Sequence, residues 1–326
     1  MNSSTKLRWW FKKPNPTFAP VKREIVIAYV CLAGICLIWG TTFLVMRIGV
    51  MSFPPFLFAA IRQIIAGLLL SGFLFLIKKE NFPSWNVLRI QAFRGFLLIT
   101  CGNGLVSWAE VFVPSGLAAI ICSTMPVMVI LINLTVNRSE LPNWIITLGV
   151  FIGLSGIVLV FSEYLADFAN PSYRMGIILI FLATLTWAIG SMLTQRKNIS
   201  TNPFLNAGMQ MLFGGIFCLP FSFFFDDLSN VVFTSEVVLA LSYLIIMGSV
   251  AAFSMYAYTL SKLPITIASL YSYINPLVAV VLGWLVLNEK LNLKIGLAFL
   301  ITVLGIYLVN YGYQRQQKKQ YESSNL

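Results

Sequence analysis

Leu37-Ile-Trp39-Gly-Thr-Thr-Phe43 has a counterpart 148 residues further on, Leu185-Thr-Trp187-Ala-Ile-Gly-Ser191. The same spacing sets Pro55-Phe-Leu-Phe-Ala-Ala-Ile-Arg62 on Pro203-Phe-Leu-Asn-Ala-Gly-Met-Gln210, and Gly67 on Gly215. At a spacing of 150, Pro114, Ala118 and Pro126 fall on Pro264, Ala268 and Pro276. One residue is then lost, and Glu140 and Gly156 meet Glu289 and Gly305. Blocks matching in the same order across half a chain indicate an internal duplication.

What is duplicated is a set of membrane helices. The 326 residues are 58% hydrophobic and 10% charged, with a mean hydropathy of +0.85. That is too few charges to cover a soluble globule, which carries about 25%. Apolar runs near 25–46, 54–77, 90–112, 115–136, 144–162, 175–195, 204–225, 237–260, 264–287 and 293–313 each approach the length that crosses the hydrocarbon layer, about 20 residues. The expected fold is all-α and integral to the membrane. It has ten transmembrane helices, five in each copy (25–162 and 175–313), between a basic tail at 1–24 and a C-terminal tail at 314–326. The first run is too long for a signal peptide and reads as a retained span.

The net charge of +11 describes topology. With the N-terminus inside, Lys6, Arg8, Lys12, Lys13, Lys22, Arg23, Lys78, Lys79, Arg89, Arg94, Arg138, Arg196, Lys197, Lys262, Arg315, Lys318 and Lys319 face the cytoplasm, against Arg47, Arg174, Lys290 and Lys294 outside. This bias is the positive-inside rule, so both termini are expected inside and nucleic acid is not an expected partner. Five spans is an odd number, so the second copy enters the membrane upside down. The charges agree, because one loop carries Lys78, Lys79 and Arg89 and its counterpart in the second copy carries Asp226, Asp227 and Glu236. Inverted repeats can open a shared cavity first to one side and then to the other.

These landmarks resemble the EamA family of the drug/metabolite transporter superfamily. They are the Trp39-Gly-Thr-Thr-Phe run, Pro55 through Arg62, Pro114-Ser-Gly-Leu-Ala-Ala leading to Pro126, Asn275-Pro276, Leu287-Asn288-Glu289 and Gly305. The stretch from Gly102-Asn103-Gly104 to Glu110 and Pro114-Ser115-Gly116 is similar to the PecM/YedA-like exporters. Asn288-Glu289 departs from the Gly-Glu frequent in the family. The resemblance implies a ten-helix carrier in the bacterial inner membrane, usually an exporter of metabolites.

Candidate site residues follow from polarity and repetition. Pro126 and Pro276 each remove a backbone donor near mid-span and orphan the carbonyls at Cys122 and Ser272. Matched interruptions point to a transporter's site, and kinks that only serve packing remain an equal reading. Arg62 lies roughly 12 Å deep at 1.5 Å per residue. It reads as an anion ligand, as half of an outer gate with Glu110, or as a snorkelling side chain. Glu110 is also the candidate for proton coupling, and Gln210 is the repeat mate of Arg62. Trp39, Thr41, Thr42, Asn103, Ser107 and Trp108 from one half, with Trp187, Ser191, Tyr256, Tyr258, Tyr271, Tyr273 and Asn275 from the other, suit a cavity for amphipathic solutes. Their alternative roles are interfacial anchors and helix–helix glue.

The chain has no histidine and no phosphate-binding Gly-x-x-x-x-Gly-Lys-Ser/Thr loop, which argues against an enzyme or an ATPase. The five cysteines fall in spans at scattered positions, so neither disulfides nor a metal site are expected. No cofactor is expected. The expected partners are a small-molecule substrate, the lipid bilayer and protons as a candidate coupling ion, in a monomer or weak homodimer. Gly149-Val-Phe-Ile-Gly153 suits close packing inside one chain. A scaffold or sensor is the rival to a carrier.

Overall fold

The computed structural model describes residues 23–136, 142–160, 162, 169–195, 201–229, 231–287 and 293–324. All regular structure among them is helical, the one form in which a single stretch closes its own backbone hydrogen bonds in lipid. The helices are α1 (Arg23–Val50), α2 (Pro55–Leu76), α3 (Trp85–Gly95), α4 (Leu105–Phe112), α5 (Ser115–Cys122), α6 (Met125–Val136) and α7 (Trp144–Val160). There follow α8 (Arg174–Gln195), α9 (Pro203–Phe225), α10 (Ser235–Tyr243), α11 (Ala252–Lys262), α12 (Ile265–Ala268), α13 (Tyr271–Leu287) and α14 (Leu293–Ser324).

Eight helical stretches among the described residues are long and apolar enough to cross a membrane. The runs expected at 144–162 and 264–287 give shorter apolar helices, Trp144–Leu159 and Ile265–Val278. Tail residues 1–22, Glu140, Asn288 and Glu289 lie outside the described residues. At the other end α14 does not stop at 313. It runs to Ser324 through a stretch of Gln, Lys and Glu, which are good helix formers.

Irregularities occur at matched places. Two π-helical segments, Phe96–Gly104 joining α3 to α4 and Leu244–Ala251 joining α10 to α11, stand 148 residues apart. Pro114 and Pro264 precede α5 and α12 in extended conformation. Turns at Ser123-Thr124 and Ser269-Leu270 then break the chain before α6 and α13. Pro126 therefore sits in the first turn of α6, where no intrahelical donor is required of it. Pro276 lies inside α13, and the Ser272 carbonyl it orphans accepts the Ser123 hydroxyl at 2.8 Å.

Glycines set the closest crossings. A Cβ on Gly67 would stand 2.4 Å from the Leu212 backbone nitrogen, and one on Gly215 2.8 Å from that of Ile64. Leu57 meets Asp226 on the same pair, so α2 and α9 run antiparallel. A second antiparallel pair joins α7 to α14, where Gly153 packs on Gly305 and Gly149 on Val309. Lipid gives no hydrophobic drive between helices, so this backbone contact is what holds them.

The ends of α2 and α9 secure each other. Asp226, just past α9, accepts the Leu57 and Phe56 amides at 2.8 and 3.3 Å at the start of α2. At the opposite end Glu80, just past α2, accepts from the Asn202 amide at 2.7 Å, and Asn202 caps α9. Burial raises the Asp226 carboxyl above its ordinary value of 3.8, while the Leu57 amide, the Ser222 hydroxyl and the Phe56 amide pull it down. The folded chain therefore binds the Asp226 proton more tightly than the unfolded chain. Its contribution to stability grows as pH falls through the window above 3.8 and is lost as pH rises. Asp226→Ala is expected to cost about 1 kcal/mol in detergent unfolding at neutral pH. Asp226→Asn, which keeps an acceptor, should cost less and remove that pH slope.

Candidate functional site

A cavity of ≈ 100 Å³ lies between the two halves, at the level of the helix breaks. From the first half it is bordered by Trp39, Thr42, Phe43 and Met46 of α1, Arg62 of α2, Gly102, Asn103 and Val106 around the first π segment, and Ala119, Cys122 and Met125. From the second half come Ala183, Thr184 and Trp187 of α8, and Tyr271, Ser272 and Asn275 of α13.

The repeat-related tryptophans stand together. Trp39 and Trp187 meet edge to face with ring centroids 5.6 Å apart, and Tyr271 closes on Trp39 at 4.8 Å. Edge-to-face pairs of this kind add about 0.5–1.5 kcal/mol beyond area burial. The Trp39 indole N–H donates to the Gly248 carbonyl at 2.9 Å, in the second π segment. The Asn275 amide, turned so that its nitrogen donates, reaches the Tyr271 and Cys36 carbonyls at 2.9 and 3.2 Å.

Arg62 is 3% exposed. Its Nε donates to the Ser249 hydroxyl at 2.9 Å and its Nη1 to Asn103 Oδ1 at 3.2 Å, with Met46 sulfur at 3.8 Å. Asn103 belongs to one π segment and Ser249 to the other. A π turn re-aims side chains within a helix, and here two of them converge on one guanidinium.

Arg62 and Glu110 form no ion pair, because the neutral oxygens of Asn103 and Ser249 occupy the guanidinium. Glu110 is fully buried, and neither carboxyl oxygen has a hydrogen-bond partner. Its backbone carbonyl accepts from Arg47, which also donates to the Val113 carbonyl.

Seven of the sequence candidates border the cavity: Trp39, Thr42, Arg62, Asn103, Trp187, Tyr271 and Asn275. Tyr256 stands behind the wall, 5.2 Å from Trp39 and hydrogen-bonded to Ser191 at 2.7 Å. Ser107 donates to the Asn103 carbonyl and the Met46 sulfur. Away from the cavity, Trp108 packs among Phe56, Phe112 and Phe225, while the Tyr273 hydroxyl holds the Val150 carbonyl at 2.7 Å. Gln210 joins a separate buried chain through Gln91 to Asn206. Sequence reasoning missed Ser249 and the apolar wall residues Phe43, Met46 and Val106. The π segments that bring Ser249 in carry no local signal, although their 148-residue spacing follows the repeat.

The EamA-like transporter family pattern matches residues 26–162 and 174–311. The chain is 32% identical over 295 residues to the inner membrane transporter YedA of Escherichia coli K12, covering 89% of this chain and 92% of that protein. It is 24% identical to the transporter YoaV of Bacillus subtilis, covering 88% and 97%. A solved crystal structure shares the fold with a TM-score of 0.70 at 18% identity, covering 88% of this chain and 96% of that one.

Proposed function

Because the chain belongs to the EamA-like transporter family, we propose that it carries a small amphipathic solute across the bacterial inner membrane, outward, by alternating access. Ten spans in two inverted halves, 25–162 and 175–313, rock around the central cavity with both termini inside. The carrying observation is that both halves furnish the wall, with Trp39 and Trp187 in equivalent places. The antiparallel pairing of α2 with α9 and of α7 with α14 supports an inverted relation. Matched π segments and helix breaks give each half its own joints beside the cavity.

At ≈ 100 Å³ the cavity is far below the roughly 300–1,000 Å³ of sites for drug-sized ligands. The halves must part to admit a solute, so this conformation is a contracted one. The wall residues among the candidates are the proposed solute contacts. Ser107, Ser191 and Tyr256 hold them in place. Trp108, Tyr273 and Gln210 act in packing and, with Pro126 and Pro276, in shaping the helices that move.

Glu110 is the proposed proton carrier. A carboxyl in a span with both oxygens buried and unpartnered is costly unless it serves an ion pathway. The charged groups bearing on it are Arg47 of α1 and Arg62 of α2, with the Cys122 thiol of α5 beside it.

Uptake into proteoliposomes by the purified full-length chain, screened over labelled metabolites with and without an imposed proton gradient, tests both readings. Glu110→Gln should abolish acceleration by the gradient and leave solute exchange between the two sides intact. If the wild type moves no solute, the carrier reading fails. Acceleration that survives in Glu110→Gln removes Glu110 from the coupling.

A further inference from the structure

The cavity has one charged group on its wall, Arg62, among the described residues. Its hydrogen-bond partners are all neutral: Asn103, Ser249 and the Met46 sulfur. Lys262–Glu24 is the ion pair found among the described residues, and it is elsewhere. A buried charge within a span costs at least about 2–3 kcal/mol on insertion scales, and neutral oxygens offset only part of that. Arginine offers five donors in a planar fork. Nε and Nη1 are engaged, which fixes the plane, while Nη2 makes no hydrogen bond among the described residues. Gly248 leaves room beside them, since a Cβ there would stand 3.0 Å from Nη2.

The Trp187 indole N–H is buried on the same wall, beside the Tyr256 and Tyr271 hydroxyls, without a well-formed hydrogen bond to either. The Tyr256 hydroxyl is paired with Ser191, and the Tyr271 hydroxyl donates to the Met125 sulfur. The wall thus combines a positive charge without an ion-pair partner, an open guanidinium edge and a corner of three aromatic rings.

We propose that the solute is an organic anion, a carboxylate on a flat apolar body, with the carboxylate held by Arg62 and the body against Trp39, Trp187 and Tyr271. This rests on the carrier reading of the same cavity and names its substrate class. The planar guanidinium matches a carboxylate bidentately, and the match is strongest where water is excluded. The repeat mate of Arg62 is Gln210, so the charge is confined to one half and marks one end of the site.

Indole-3-acetate, the neutral indole-3-acetamide and the cationic tryptamine share one ring and differ in charge. Binding of each to the purified full-length chain, followed by tryptophan fluorescence and thermal shift, tests the assignment. Indole-3-acetate should bind the wild type in clear preference to the other two. Arg62→Gln should weaken it by about thirtyfold or more and abolish that preference, whereas Arg62→Lys should keep the preference at lower affinity. The wild-type comparison needs no variant, so a misfolded Arg62→Gln does not spoil the test. Equal or better binding of the amide or amine, or no binding of any probe, overturns the anion assignment. Either result leaves the carrier reading standing if the proteoliposomes still move a solute.

Discussion

Gly67→Ala is expected to destabilise the protein by about 3 kcal/mol, while Gly72→Ala on the same helix should leave the unfolding midpoint in detergent unchanged or slightly raised. The Cβ at 67 would stand 2.4 Å from the Leu212 nitrogen, 2.7 Å from the Leu212 Cα and 2.8 Å from the Gly208 carbonyl oxygen. All three are backbone atoms, so no side chain can swing aside and the axes of α2 and α9 must separate. That separation also strains the end contacts at Asp226 and Asn202. At Gly72 nothing lies within 4 Å, and alanine there gains helix propensity. Equal behaviour of the two variants in a thermal melt would mean that α2 and α9 do not cross this closely.

A second large effect concerns the helix break at the centre. Ser123→Ala removes the hydroxyl that reaches the Ser272 carbonyl at 2.8 Å and the Ala119 carbonyl, also at 2.8 Å. The Ala119 carbonyl keeps a partner in the Ser123 amide, whereas the Ser272 carbonyl faces a proline and loses the Ser123 donor. A buried polar group left unpaired costs about 1–3 kcal/mol. Pro276→Ala restores an N–H in α13 that can bond the same carbonyl. The cost of Ser123→Ala should therefore be smaller in the Pro276→Ala background, a coupling that a double-mutant cycle on unfolding reads directly. Strict additivity would show that the hydroxyl and the proline do not share that carbonyl.

Much of the architecture was legible because the bilayer imposes a length rule and the duplication doubles each signal. Helix positions, the charge bias and the pairing of Trp39 with Trp187 as equivalent residues all come from one-dimensional pattern. The details resisted for physical reasons. From sequence Arg62 reads as an anion ligand, a gate partner of Glu110 or a snorkelling side chain, and the two neutral side chains that engage it come from distant segments. Which face of a helix a tyrosine occupies depends on crossing angles. Tyr271 and Tyr273 are two residues apart, and one borders the cavity while the other anchors α7. No residue type announces the π segments, Phe96–Gly104 and Leu244–Ala251. Met46 and Val106 are apolar, and nothing local separates an apolar cavity wall from an apolar core.

The most direct test of the account is which side of the membrane reaches the cavity. Val106→Cys, placed on the cavity wall in a chain whose five native cysteines are replaced, can be labelled with an impermeant maleimide in right-side-out and in inverted vesicles. Alternating access predicts labelling from both sides, with a transported solute changing the two rates in opposite directions. Labelling confined to one side under all conditions would contradict a cavity that changes its face.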